Sequence, residues 1–416
     1  MDKAGLLARI EADRDGIIGF LADFVRAPSP NPPGDTREAT AVVTRFLAER
    51  GLPHCVIAAQ DHLPNVVGSF EGGGPGNHLV LNGHIDVFPA GDGWTRDPWS
   101  GAIEGRRLWG RGTADMKAGT AASIMAYAYL YPHREGLRGR LTLTAVSDEE
   151  TGGKYGAKFL LEEHAEECLG DAVLNGEPGG LRTVRFGEKG TLRLTFTTRT
   201  TGGFGAATHR SANAVKLAAR LIGELEELTA FPVSLPAPLA AILSEPGTMA
   251  ALDGVMGPGT MEMIGKVSVN IGVIRGGAKV NMIPGLCETQ VDIRLPPGLD
   301  KAPVMARIQE ILGRHPETEV EEQAAASNPA SWSDPAHPLV GLVQANVRAL
   351  GHETPLPACS LGGSDCKFWR YRGVPAFYYG VSPDRLAGPD EGVDLDEFLH
   401  VVKVHAATAW DYLGGP

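Results

Sequence analysis

The sequence predicts an α/β protein in which a doubly wound domain is interrupted by a smaller α+β unit. Three observations carry this expectation. Apolar, β-branched runs alternate with helical patterns up to about Gly190 and again after Ser327, the order of a doubly wound sheet. Between them the order is β-α-β-β-α-β, that of a ferredoxin-like unit. At 416 residues the chain is also too long for one ordinary core. The expected division is residues 1–190 and 327–416 as two parts of one domain, with 191–326 inserted between them.

In chain order, residues 4–25 read as one amphipathic helix, with Leu7, Ile10, Ile17, Leu21 and Phe24 near helical spacing. The Pro-rich APSPNPPGD stops it, and a second helix runs over 36–50, ended by Gly51. CVIAA, NVVGSF, LVLNG, LTLTAV and DAVLN read as strands, with helices at 118–131 and 154–163. In the insert, TLRLTFTTRT, KVSVNIGVIRGG, CETQVDIRL and ETEVEEQA alternate as half-buried strands. NAVKLAARLIGELEEL and DKAPVMARIQEILGRH are its two helices. After it come a helix over 339–350, the Gly-rich turn GGSDCKFWR leading into a helix, the strand PAFYYGV, and the closing helix LDEFLHVVKVHAATAWDYL.

Composition narrows the function. A net charge of −12 argues against nucleic acid and anionic membranes as partners. No run approaches 18 uninterrupted apolar residues, so no membrane span is expected. The start, MDKAGLLARIEADRDG, reads as a helix rather than a signal peptide, because charges interrupt its apolar residues. Five scattered cysteines with no CxxC pair suit free thiols and a cytoplasmic location.

The chemistry gathers at strand ends. His84 and Asp86, two residues apart after LVLNG, leave the strand on one face. Asp115 precedes a small-residue helix, Asp148, Glu149 and Glu150 follow LTLTAVS, and Glu177 follows DAVLN. A His and several carboxylates at the carboxyl edge of one sheet are what a metal site in an α/β protein requires. Each also has an ordinary reading. His84 and Asp86 fit a strand end and a turn, and Asp115 fits a helix N-cap. Glu149 and Glu150 fit an acidic helix start, and Glu177 a loop.

These motifs, NGHIDV, GRGTADMKAG, SDEETGG and NGEPGG, resemble those of the M20 family of dinuclear zinc peptidases and amidohydrolases, over nearly the whole chain. The resemblance implies a zinc-peptidase-like catalytic domain whose ferredoxin-like insert acts as a lid and dimerisation surface. It implies His84, Asp115, Glu150 and Glu177 as metal ligands, with Asp115 bridging two ions and followed by a cis peptide. Asp86 would accept the other His84 ring N–H, and Glu149 would be the general base that deprotonates the attacking water. Asn281 in RGGAKVNMIPG, Ser364 in GGSDCKF and His209 match family positions and are the candidate substrate-binding residues, while Arg294 matches a recurrent lid Arg.

Two family residues are replaced. Where a metal-binding His stands in the family's AHxPDE-like segment, this chain has Ala387, and where the lid His stands it has Phe204. Asp384, Cys359 and Cys366 could supply a substitute ligand, but none stands at the matching position. The expected cofactor is therefore Zn2+ (or Co2+ or Mn2+), one ion held tightly by His84, Asp115 and Glu177 and a second weakly. The expected function is metal-dependent hydrolysis of an amide C–N bond in an N-acyl amino acid, small peptide or related small molecule, by a cytoplasmic homodimer joined through the lid. The alternative is a diverged relative that binds a small ligand or runs other metal-assisted chemistry.

Overall fold

The computed structural model describes residues 2–415. Two helices open the chain, α1 (Lys3–Ala12) and α2 (Arg14–Arg26), where periodicity predicts one. They part at Asp13, whose carboxylate is held by Arg9 Nε at 2.8 Å and the Tyr129 hydroxyl at 2.9 Å. A short acid that competes with the backbone for hydrogen bonds is a poor helix interior residue, and the apolar period alone does not register it.

Next come α3 (Arg37–Glu49), β1 (Cys55–Ile57), β2 (Asn65–Glu71), β3 (His78–His84), the short β4 (Ala102–Glu104) and β5 (Arg107–Trp109), and α4 (Ala118–Leu130). They are followed by β6 (Arg140–Val146), α5 (Ala157–Glu163), α6 (Ala165–Cys168), β7 (Ala172–Asn175) and β8 (Thr183–Glu188). In the inserted region lie β9 (Gly190–Arg199), β10 (Gly203–Phe204), α7 (Ala214–Leu225), α8 (Ala237–Ser244), α9 (Pro246–Met256) and α10 (Thr260–Ile264). That region continues with β11 (Ser268–Gly276), β12 (Met282–Ile283), β13 (Leu286–Leu295), α11 (Lys301–Leu312) and β14 (Thr318–Glu322). The remaining elements are β15 (Ser331–Trp332), α12 (Pro338–Ala349), β16 (Leu356–Ser360), α13 (Cys366–Arg370), β17 (Ala376–Tyr378), β18 (Gly392–Asp394) and α14 (Leu395–Tyr412).

The chain forms two compact units. One comprises Met1–Phe186, Trp332–Ala358 and Ser364–Pro416; the other comprises Gly187–Ser331 and Cys359–Gly363. The large sheet runs β1-β2-β6-β3-β7-β17-β8-β15, with β16 on β8. It is mixed: β3 is parallel to both β6 and β7, whereas β2 is antiparallel to β6. Because His84 pairs with Val146 and Asn82 with Asn175, the three parallel strands end nearly level. Their following residues therefore emerge at one edge, the usual place for a site in such a sheet.

Helix α4 lies close on that edge, and its small residues are the reason. A Cβ on Gly119 would come within 1.9 Å of the Gly176 carbonyl oxygen, so only glycine permits the approach. On its other side α4 is covered by α14, which buries Phe398, Val401, Val402 and Trp410.

The second unit carries a four-stranded antiparallel sheet in the order β11-β13-β9-β14, the arrangement of a ferredoxin-like unit. Leu192, Leu194 and Phe196 of β9 pack with Leu221 and Leu225 of α7 and Ile308 and Ile311 of α11. The sequence pattern did not predict helices α8, α9 and α10. Their Ala-, Gly- and Met-rich segment buries little per helix and shows no clean period. Among the described residues no helix is long and apolar enough to cross a membrane.

Candidate metal centre

His84 ends β3 fully buried. Its Nδ1 lies 2.8 Å from the main-chain oxygen of Asp86 and 3.6 Å from the Asp86 carboxylate. The expected tautomer lock is thus present, but the carbonyl provides it rather than the side chain. The Asp86 carboxylate is turned to the next strand end, where it accepts from the amides of Glu149 at 3.2 Å and Glu150 at 3.1 Å, and from Asn31 Nδ2 at 2.9 Å. Asp86 therefore fixes the two glutamates as well as the histidine.

The turn that presents Glu149 and Glu150 depends on Asp148. Its φ is 75°, a left-handed conformation that Asp tolerates better than most residues. Its carboxylate is bound by the Tyr155 amide at 3.0 Å and by the Thr151 hydroxyl. Glu177 follows β7 and is oriented by Asn175, whose Oδ1 accepts from the Glu177 amide at 2.7 Å. Asn175 donates to Asn82 at 2.6 Å, and Asn82 to Thr144 at 3.1 Å, so a polar ladder crosses all three parallel strands behind the site. Asp115 enters from the turn before α4, and the Asp115–Met116 peptide is cis.

The structure brings His84, Asp115, Glu149, Glu150 and Glu177 together. His84 Nε2 is 3.1 Å from Asp115 Oδ1 and 3.7 Å from Glu177 Oε1. Two sets present ligand atoms within 4.8 Å of one another, His84 with Asp115 and Glu150, and His84 with Glu149 and Glu177. That grouping differs from the one the resemblance implies, in which Glu177 rather than Glu150 joins His84 and Asp115.

The electrostatics are those of a cation site. Burial, reinforced by the Asp115 charge, pushes the Glu150 carboxyl up to about 11. Burial and then Asp115 also raise Glu177 well above the usual range, and burial raises Glu149 against the opposing Lys367. At His84 burial favours the neutral ring, but the hydrogen bond to Asp115 and the charges of Glu177 and Asp86 outweigh it. Glu150 Oε1 is buried with no hydrogen-bond partner. Five carboxylates around one imidazole, one oxygen of them orphaned, outnumber the single positive charge of Lys367 beside Glu149, and nitrogen and carboxylate donors suit zinc or another divalent ion.

The other sequence candidates are in neither of these ligand sets. Ser364 is buried, and its carbonyl accepts from the Lys367 amide at 3.3 Å and from Lys367 Nζ at 2.9 Å. Asn281 and His209 are exposed residues of the second unit, where the Asn281 carbonyl accepts from the Gly205 amide at 2.8 Å. Arg294 bonds Asp292 at 2.9 Å, a local pair within its own strand. Phe204 is 67% exposed. Ala387 offers its carbonyl to Arg111 at 2.9 Å. The possible substitute ligands are occupied or buried: Asp384 faces Arg107 at 3.3 Å, Cys359 is buried, and Cys366 packs with Val173 and Trp369.

Sequence reasoning missed Asn31, Lys367, Asp365, Arg111 and Glu391. Lys367 Nζ lies 3.6 Å from Glu149 Oε1. Asp365 is buried beside it, and burial and then Glu149 push its carboxyl up to about 8. Both stand in the GGSDCKF turn already singled out for Ser364, so that turn held the available signal. Glu391 stands in the AHxPDE-like segment noted for Ala387, whereas Asn31 reaches the site from a distant segment and carries no local pattern.

Fold and site together define a metal-dependent hydrolase. The chain matches the model of peptidase family M20/M25/M40 over residues 80–411 and belongs to that family. Succinyl-diaminopimelate desuccinylase of Cereibacter sphaeroides is 30% identical to it over 95% of this chain and 98% of its own length. Among solved structures, an M20 family metallo-carboxypeptidase from Sulfolobus solfataricus superposes with a TM-score of 0.81 at 18% identity, covering 95% of this chain and 99% of that one. A dinuclear metal-binding M20 peptidase from Bacillus subtilis gives 0.69 at 16% identity, covering 98% of this chain and 100% of the other. The protein is an enzyme, a metal-dependent amide hydrolase, and the non-hydrolytic alternative is not favoured.

Proposed function

We propose that the enzyme cleaves the amide of an N-acyl amino acid or small peptide, with an acidic acyl group such as succinyl the first to test. In this reading His84, Asp115, Glu150 and Glu177 hold the metal, zinc or else cobalt or manganese. The observation that carries it is the convergence of His84 with those carboxylates, among them Glu150, whose Oε1 has no hydrogen-bond partner. The full-length similarity to desuccinylases supports the acidic acyl group.

When bound, such an ion supplies Lewis acidity at the scissile carbonyl and lowers the pKa of water to around 7. Glu149 takes the proton of the attacking water on its carboxylate and returns it to the leaving amine nitrogen. Lys367, 3.6 Å away, favours the ionised carboxylate that accepts that proton. Asp86 keeps the proton of neutral His84 on Nδ1 through its carbonyl and holds the 149–150 turn in place. Ser364, Asn281 and His209 contact the substrate, and the enzyme works as a cytoplasmic homodimer joined through the inserted unit.

The test is an assay of N-succinyl-L,L-diaminopimelate and N-acetyl amino acids with and without Zn2+, Co2+ or Mn2+, repeated with Glu149→Ala. Metal-dependent release of the free amine, lost in that variant, supports the reading. Turnover unaffected by chelator would overturn it.

A further inference from the structure

Glu391 and Arg111 form a buried pair that the reaction as described does not use. Both are almost fully enclosed, and Arg111 Nη1 lies 2.5 Å from Glu391 Oε2. The other carboxylate oxygen, Oε1, accepts from the amides of Ala114 at 2.8 Å and Asp115 at 3.2 Å. Arg111 Nη2 donates to the carbonyls of Ala90 at 3.0 Å and Ala387 at 2.9 Å. The Gly110 amide closes the ring on the Glu391 carbonyl at 2.9 Å. One ion pair thus ties together the loop after β3, the turn that presents Asp115, and the loop that ends at Glu391.

Stability alone does not explain such a pair, because a buried ion pair can often be replaced by apolar side chains without loss. The division of labour does. One oxygen neutralises the guanidinium and the other fixes two successive amides, the second of them that of Asp115 itself. Charge-assisted bonds of this kind are short and directional. Groups that orient a ligating side chain commonly govern metal affinity by about 10–100-fold.

We infer that Glu391 is a positioning residue for Asp115, and that Arg111 extends its hold to the Ala90 and Ala387 carbonyls, so that the ligating carboxylate and the 383–391 loop share one geometry. The inference rests on the metal-centre reading above.

The test compares two double variants that leave no buried charge unpaired. R111M/E391Q keeps an oxygen for the two amides, and R111M/E391L removes it. Zinc affinity is measured by competition with a chromophoric chelator, beside that of the unaltered protein. Affinity within about threefold of the unaltered protein is expected for R111M/E391Q, and about 10–100-fold weaker binding for R111M/E391L. Equal affinities in the two variants overturn the inference. A measurement without substitutions guards against misfolding: the Ala114 and Asp115 amides should exchange hydrogen slowly in the unaltered protein. Fast exchange there, with the fold intact, also overturns it. Absence of zinc binding by the unaltered protein counts instead against the metal centre, and the exchange rates still decide whether Glu391 holds the turn.

Discussion

The ring of His84 and the main chain of Asp86 meet at 2.8 Å, Nδ1 to carbonyl oxygen. A carbonyl only accepts, so in the neutral ring the proton sits on Nδ1 and the lone pair on Nε2. Nε2 is the atom that faces Asp115 and Glu177. The backbone of β3 thus prepares the imidazole as a ligand.

From this follows a contrast between two variants. His84→Ala removes a ligand and should lower the metal content of the purified protein. Glu149→Ala should leave the metal in place and reduce turnover by about 10²–10⁴, the usual contribution of a positioned general base. Metal analysis beside kcat separates them. Equal metal loss in both would show that the base and ligand roles are misassigned.

How much of this was legible in the sequence depended on range. The ends of β3, β6 and β7 were readable because each is an apolar run closed by His or acid, and period-2 patterning needs only local information. The partners of those residues were not. Glu391 meets Asp115 and Asn31 meets Asp86 across long stretches of chain. Asp86 stands two residues after His84, yet the atom nearest the His84 Nδ1 is its carbonyl oxygen, which no residue type announces. The break at Asp13 escaped because apolar spacing continues across it into the next helix.

One contribution to stability, that of His405, should be lost between pH 7 and pH 5. Burial holds His405 down to about 4, and its Nε2 lies 2.8 Å from the Tyr379 carbonyl. The folded pKa lies below the unfolded value of 6.5, so the unfolded chain binds the extra proton first. This contribution is whole above pH 6.5 and is lost as pH falls toward 4, by about 2 kcal/mol at pH 5. His405→Gln should flatten that part of the profile. Urea denaturation at both pH values checks it, and an unchanged slope would exclude His405 as a source.

The inserted unit should pair two copies of the chain. Strand β11 is the outer strand of its sheet and pairs only with β13 among the described residues, with Ile274 half-exposed on it. An unprotected edge is a template for pairing. Sedimentation should give about twice the 44.0 kDa of one chain. Replacing Ile274 with Lys should shift the species toward one copy. A single chain at all micromolar concentrations would rule the pairing out.

The last prediction concerns the replaced histidines. By resemblance a second ion has Asp115 and Glu150 alone, where zinc normally takes at least three protein ligands. Neither Cys366, buried in an apolar cluster, nor Asp384, held by Arg107, supplies the third. One ion per chain should therefore survive dialysis. Ala387 sits at φ 60°, a left-handed conformation rare for Ala and several-fold enriched for His. The backbone there accommodates a histidine, so Ala387→His should raise the retained metal to two ions per chain. With Phe204 in place of the lid His, the carbonyl loses a donor whose removal typically costs about 10²–10³ in rate. Ordinary N-acetyl amino acids should be poor substrates, and Ala387→His alone should not make them good ones. If the unaltered protein instead keeps two zinc ions and rapidly deacetylates N-acetylmethionine, residues other than those at 387 and 204 have taken over both roles.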